Sequence, residues 1–263
     1  MKSDFDVITW SFPDDICIYP ISDVHYGALT HNKDEWLKFC KRLEKEKNSY
    51  LVCNGDLINN NTKSACGSCF DDFVRPRDQK KAMVEFLSPI KDKILCLVSG
   101  NHERRSLKDA DDDPMYDIAA KLDLEDLYRQ NAAFLLIRMG VHKHGKHKEG
   151  SMCGYGIAVT HGAGGGIYTG ATVNRNERWG NIIDGADCII VGHTHKGTVT
   201  RPSKIRFDLN KGVVAVTDYL VVSSVAWQNY GEYSLQKMLL PSQTCNPQRL
   251  FLDSRKKNIE VRW

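Results

Sequence analysis

The chain alternates short apolar runs with longer amphipathic ones, and that rhythm predicts its elements. Residues 16–22 are apolar on both alternating faces and read as a buried strand. Asn32 offers a helix cap, and Trp36, Phe39, Cys40 and Leu43 recur at helical spacing, which predicts a helix over residues 34–47. A second apolar run follows at 50–53, then a polar, glycine-containing loop over 57–76. Met83, Phe86, Leu87 and Ile90 form the stripe of a second helix over 77–93, which leads into a strand at 94–98. Strand–helix–strand–helix–strand predicts parallel pairing with helices on the sheet faces, an α/β chain. Three aspartates and Pro114 open a further helix over 115–124. The second half is richer in strands, at 133–139, 155–160, 188–191 and in pieces over 213–225, with one more helix at 169–184. His142, His144 and His147 lie among lysines and glycines and read as a solvated hairpin loop. With no repeat, low-complexity tract or linker, residues 1–263 read as one domain.

Composition narrows this picture only a little. A net charge of +3 is too small to imply nucleic acid on its own. The start, Met1 to Asp6, has no apolar leader, and no stretch approaches the roughly 20 apolar residues of a membrane span, so no membrane is expected. Nine cysteines are an odd number, and Cys17, Cys53, Cys96 and Cys188 sit inside strand-like runs, so buried free thiols in a reducing compartment, the cytoplasm, are expected. Cys66 and Cys69 have the spacing of half a zinc site, but without a second pair they read as free thiols too.

The chemistry lies where the apolar runs stop. Five strands end in Asp, His or Asn, at Asp23-Val24-His25, Gly55-Asp56, Gly100-Asn101-His102-Glu103, His161-Gly162 and Gly192-His193-Thr194-His195. Each group alone is weak; the set is specific, because strand ends in an α/β sheet are where a site is built and glycine lets the backbone turn sharply there. Imidazole and carboxylate without thiolate favour manganese, iron or zinc over calcium or a cysteine-type zinc. Seven potential ligands exceed the need of one tetrahedral ion and suit two ions about 4 Å apart that share a carboxylate, an arrangement fitted to displacement at phosphorus.

These five ordered blocks, spanning residues 23–195, resemble those of the calcineurin-like metallophosphoesterases. The resemblance implies two packed mixed β-sheets flanked by helices, a four-layer αββα sandwich. It implies a first metal on Asp23, His25, Asp56 and His195, and a second on Asp56, Asn101, His161 and His193, with Asp56 bridging. His102 would be the catalytic imidazole that is not a ligand, protonating the leaving oxygen or steadying the transition state. Two divalent transition-metal ions are implied, manganese first, with iron or zinc as alternatives. One departure matters: the protein Ser/Thr phosphatases of the superfamily carry Gly-Asp-x-x-Asp-Arg-Gly, whereas Leu57-Ile58-Asn59-Asn60-Asn61 follows Gly55-Asp56 here. The chain is more similar to small stand-alone phosphoesterases of bacteria and phages, often described as exonuclease-like.

The expected function is therefore metal-dependent hydrolysis of a phosphate ester, with phosphodiesters of nucleotides or nucleic acid the favoured substrates. A phosphomonoesterase is the second reading and a non-catalytic scaffold on the same fold the third. Arg104 and Arg105 are candidates for binding a substrate phosphate, and Gly164 to Gly166 for cradling one with backbone N–H groups or forming a plain turn. Trp227, Tyr230 and Tyr233 either stack a base or pack on the sheet, and packing is the commoner use.

Overall fold

In a computed structural model of the chain, the described residues are 2–63, 65, 70, 72–140, 142–143, 149–150, 153–231, 234–235, 238 and 245–263, with backbone alone at 142–143 and 149–150. The chain runs β1 (Ile8–Phe12), β2 (Ile16–Ile21), α1 (Lys33–Lys45), β3 (Ser49–Asn54), α2 (Pro76–Leu87), β4 (Ile94–Val98), α3 (Glu103–Ala110), α4 (Pro114–Lys121), β5 (Tyr128–Arg129) and β6 (Ala132–Met139). It continues through β7 (His142–Lys143), β8 (Glu149–Gly150), β9 (Cys153–Thr160), α5 (Thr169–Ile182), β10 (Cys188–Val191) and β11 (Thr198–Thr200). The last elements are β12 (Ser203–Asp208), β13 (Val213–Asp218), β14 (Leu220–Ser223), β15 (Arg249–Leu252) and β16 (Ile259–Arg262).

Two six-stranded mixed sheets carry the architecture, one ordered β16-β15-β2-β3-β4-β5 and the other β1-β6-β9-β10-β14-β11. As the alternation of strand and helix predicts, β2, β3 and β4 pair in parallel. In the second sheet β9, β10 and β14 are also parallel neighbours. Strand periodicity of two assigns the layers. Cys17, Tyr19 and Ile21 of β2 face the helices α1, α2 and α4, while Ile18 faces the other sheet. On β10, Cys188 and Ile190 point between the sheets, and Ile189 and Val191 point out toward Trp179 and Ile183 beside α5. Helix, sheet, sheet and helix form the four layers that the resemblance implies.

Helix ends follow local chemistry. Asn32 caps α1 by accepting from the Glu35 N–H at 3.3 Å, and Trp36, Phe39, Cys40 and Leu43 are its buried stripe. Asp113 caps α4 through the Tyr116 N–H at 3.2 Å. The second helix departs from expectation: it stops at Leu87, and Ser88–Lys93 forms a 3-10 turn instead. Pro89 has no N–H to donate and would clash with the carbonyl four residues earlier, so the α-helix ends ahead of it. Helix α3 is absent from the sequence reading, as are β1, β5, β11, β12, β15 and β16. His142 does sit in a hairpin, since β7 and β8 pair antiparallel; His144 and His147 lie outside the described residues, as do Cys66, Cys69 and Tyr233. Trp227 is buried with its ring 5.2 Å from that of Trp36, so it packs rather than stacks a ligand. Cys17, Cys53, Cys96 and Cys188 are buried free thiols. Among the described residues no helix is long and apolar enough to cross a membrane.

Leu43 is fully buried on α1, whereas Lys41 is exposed on the same helix. Leu43→Ala should cost about 2–5 kcal/mol of stability through lost burial and the cavity left behind. Lys41→Ala should change stability by less than about 0.5 kcal/mol. Urea unfolding midpoints measure both, and equal effects would contradict this docking of α1.

Candidate metal centre

The parallel strands β2, β3 and β4 of one sheet and β9 and β10 of the other end side by side, and their following residues converge. Backbone hydrogen bonds join these turns: Asp23 N–H donates to Gly55 O at 3.1 Å, His25 N–H to Asp56 O at 3.0 Å, and Gly192 N–H to His161 O at 3.1 Å. Asp23, His25, Asp56, His193 and His195 all take the left-handed backbone conformation, with φ between 47° and 69°. That region is strained for most L-residues, but Asp, Asn and His visit it more readily than others. The turns also require glycine. A Cβ on Gly55 would lie 2.6 Å from the Cα of Gly100, and one on Gly100 would lie 2.0 Å from Asp56 Oδ1.

Three overlapping donor sets result: Asp23 with His25 and His195, His25 with Asp56 and His102, and Asp56 with His161 and His193. Asn101 joins the third, its Oδ1 lying 2.9 Å from His161 Nε2 and 2.7 Å from His193 Nδ1. All seven residues that the sequence singles out as ligands are thus brought together. Each carboxylate divides its two oxygens between the protein and the centre. Asp23 Oδ2 accepts from the Ser22 hydroxyl and, at 3.0 Å, from the His193 N–H. Asp23 Oδ1 is buried with no aligned donor among the described residues, 3.3 Å from His195 Nε2. Asp56 Oδ1 accepts from the His102 N–H at 2.8 Å, leaving Oδ2 3.2 Å from His161 Nε2 and 3.8 Å from His25 Nε2. His25 and His195 turn their Nε2 atoms toward each other at 3.1 Å.

These features fit a cation. An orphaned carboxylate oxygen and ring nitrogens facing one another are poor company for each other, and a divalent ion resolves both. His161 Nδ1 is paired with the Asn54 carbonyl at 2.8 Å, which leaves Nε2 as the lone-pair side toward the centre. Asn54 also locks the two sheets together: its buried amide donates to Ile21 O at 2.9 Å and accepts from the Gly192 N–H at 3.0 Å.

A family model of the calcineurin-like phosphoesterases matches residues 18–197, more than half of the chain. The chain belongs to that family. It is thereby a metal-dependent hydrolase of phosphate esters, and the matched region carries every residue of the donor sets. Among solved structures, a similar one is a conserved uncharacterized protein, described as a predicted phosphoesterase, from Streptococcus pneumoniae TIGR4. It is 12% identical, with 94% of this chain and 88% of that chain covered at a TM-score of 0.38. A search of the curated proteins finds no match.

The electrostatics of this phosphoesterase centre favour ionised carboxylates. Burial opposes charge on Asp23, yet His195 and His25 hold its carboxyl well below the usual range. Asp56 is likewise held low against burial, by His161, His102 and His25. Burial also opposes charge on His161, but Asp56 and Asp23 outweigh it and hold the ring up at about 9. His102 is pushed down to about 3, chiefly by burial, with His25 and Arg105 adding to it against Asp56. Its ring is fixed at both ends, Nδ1 lying 2.6 Å from Asn59 O and Nε2 2.9 Å from Arg105 Nη2. Arg105 reaches the centre in this way, its Nη1 donating to Asn59 O and Asn61 Oδ1 at 3.1 and 3.0 Å. Arg104 instead donates to Ser99 O at 3.0 Å. The loop at Gly164 to Gly166 is held by its carbonyl side, since Lys196 donates to Gly166 O at 2.9 Å and also to Ile167 O.

Residues with no role in the sequence reading complete the site. Fully buried Glu103 accepts four backbone N–H groups: Asp56 at 2.9 Å, Leu57 at 2.8 Å, Ile58 at 3.2 Å and Gly100 at 2.9 Å. Burial and the Asp56 charge push its carboxyl up to about 7, while these N–H groups favour the ionised form. Asn60, buried with φ 45°, donates to His102 O at 2.7 Å and to the Ser106 hydroxyl at 2.9 Å. Gln79 accepts from the Asn60 N–H at 2.8 Å. The run of three asparagines was the available signal, since such residues supply backbone-like hydrogen bonds in turns.

Glu103→Gln keeps the shape but sets an amide N–H₂ against N–H donors. Each oxygen accepts two of the four backbone groups, so two lose their acceptor, at about 1–3 kcal/mol each. The variant should fall in stability by roughly 2–6 kcal/mol on that basis and lose metal uptake, measured by urea unfolding and by elemental analysis. Wild-type values in both would show that this carboxylate does not position the turns.

Proposed function

We propose that this chain is a dinuclear phosphoesterase that hydrolyses phosphodiesters of nucleotides or nucleic acid. The observation that carries the reading is Asp56 Oδ2, which faces His25 on one side and His161 on the other and so serves two donor sets at once. Asp23, His25, Asp56 and His195 would hold one ion, and Asp56, Asn101, His161 and His193 the second. Two divalent transition-metal ions, manganese first with iron or zinc as alternatives, supply Lewis-acid stabilisation of the phosphate and a more acidic water. Arg105 offers a guanidinium fork beside His102, suited to a phosphate oxygen. His102 stands next to the Asp56 carboxylate, where it protonates the leaving oxygen or steadies the transition state. Arg104, turned to Ser99, is the weaker of the two arginine candidates. The Leu57–Asn61 segment in place of an Asp-Arg pair favours diesters over the protein phosphatase chemistry. The buried free thiols support a reducing compartment, the cytoplasm.

Protein produced with manganese should carry close to two transition-metal ions per chain by elemental analysis. Asp56→Asn should lower both occupancies together, and loss of one ion alone would remove the shared-carboxylate assignment. Substrate class is read by comparing bis-p-nitrophenyl phosphate, p-nitrophenyl phosphate, single-stranded DNA and cyclic nucleotides. Preference for the monoester would replace the diester reading.

His102→Ala should keep the metals and lose about 10²–10⁴-fold in kcat, the usual worth of a positioned acid. The loss should be smaller for p-nitrophenolate, a weak base that needs little protonation, than for an alkoxide leaving group. Equal losses would leave His102 a positioning role, and loss of metal would make it a ligand.

A further inference from the structure

The hairpin of β12 and β13 belongs to neither six-stranded sheet. Its register pairs Ile205 with Val216 and Phe207 with Val214, and directly paired residues share a face. The other face carries Lys204 with Thr217, Arg206 with Ala215 and Asp208 with Val213. On that second face Lys204 alone turns to the body of the protein, 3.7 Å from Asp184 and 5.3 Å from the Tyr219 ring centroid, while Arg206, Val213, Ala215 and Thr217 are exposed. The first face is open and apolar at its centre, with Ile205 79% exposed, Phe207 62%, Val214 66% and Val216 69%, and Leu209 at the turn 78%; the pair Ser203 and Asp218 lies at its other end. A two-stranded hairpin is marginally stable in water by itself. Alternating β-branched and aromatic residues are the pattern of a strand face that is covered.

We propose that this face is a two-fold contact between two copies of this chain. Size is the first argument. At about 100 Å² of apolar area per large side chain, five side chains exposed to this degree present on the order of 300–400 Å². One side of a standard interface buries about 800 Å², of which somewhat over half, about 450 Å², is apolar. The patch supplies most of that share. Self-complementarity is the second argument. In a two-fold contact the patch meets itself, and its four central residues bear no charge, so no like-charge repulsion arises among them; Asp218 is at one end of the face. The rim carries both signs, with Asp208 and Lys211 4.0 Å apart at the turn.

The contact leaves the metal centre open. β10 and β14 are parallel, and the centre lies beyond the carboxyl end of β10 at His193 and His195. β13 feeds the amino end of β14, so the hairpin hangs at the opposite end of the same sheet.

Sedimentation equilibrium of the full chain over roughly 1–100 µM should show a concentration-dependent rise from 29.8 kDa toward twice that mass, in the concentration range where contacts of modest size form. Phe207→Asp combined with Val214→Asp brings four carboxylates together across the contact and should give a monomer at every concentration, with metal content and phosphoesterase turnover unchanged. A wild-type chain that stays at 29.8 kDa, or a variant that still doubles, overturns the proposal. A measurement that needs no variant is amide hydrogen exchange of the wild type. Protection of the β12 and β13 amides should rise with protein concentration, and protection independent of concentration overturns the contact as well.

Discussion

The whole centre depends on the carboxylate of Glu103. It is the first residue of α3, yet it turns back into the protein and receives N–H groups from the turn after β3 and the turn after β4. Four backbone donors on one carboxylate replace water that this depth of burial excludes, and charge-assisted bonds of this kind are stronger than neutral ones. Asp56 and Gly100 are thereby held in contact, which sets the direction of Asp56 Oδ2 and places Asn101 and His102. A site drawn from turns has few other means of rigidity, because turns lack the ladder of bonds that fixes a strand.

Rigidity is needed because the turns are strained. Five of the seven proposed ligands have positive φ. At about 1–3 kcal/mol each, such conformations together cost on the order of 5–15 kcal/mol, as much as the whole net stability of an ordinary domain. The residue types soften this cost. Asp and His are among the side chains that tolerate left-handed backbone, and they are also the side chains that bind metal and carry protons. The same choice therefore meets the backbone and the chemical requirement. The surrounding apolar layers, with the fully buried Leu43, Leu97 and Ile190 among them, supply the burial against which that strain is tolerated.

How much of this was legible follows from what each residue answers to. The strands β2, β3, β4, β9 and β10 are apolar on both faces because layers cover both, so they stand out as runs, and their abrupt ends mark the site. Edge strands do not stand out. In β16 Ile259 and Val261 alternate with Glu260 and Arg262 over only four residues, and β12 alternates lysine, arginine and aspartate with its apolar face. Helix α3, with Leu107 as its one large apolar residue, has no stripe to read; Glu103 holds it from one end. The second helix was read too long because its apolar spacing continues through Ile90, across a proline that the backbone cannot ignore. Glu103 itself was visible only as one more charge in a polar run, since its partners are backbone groups that no side-chain pattern reports.

The asparagine run adds the last constraint, and it joins binding to chemistry. The Asn59 carbonyl faces His102 Nδ1 and accepts from Arg105 Nη1, so one backbone atom fixes both the imidazole and the guanidinium. With Nδ1–H directed to that carbonyl, Nε2 carries the lone pair and receives the Arg105 N–H. Under the proposed reaction, a phosphate that draws the Arg105 fork to its own oxygens uncovers His102 Nε2 beside the ester. The ring cannot follow the arginine, because Asn59 holds its other nitrogen and Asn60 holds its backbone carbonyl. In that tautomer Nε2 has no proton to give, so in the proposed reaction it would have to take one up from solvent once uncovered, before it could protonate the leaving oxygen. A protein phosphatase pattern would place an acidic side chain and a fixed arginine here; this chain has a carbonyl and an arginine shared with the histidine, so in the proposed reaction the availability of His102 would follow the presence of a phosphate.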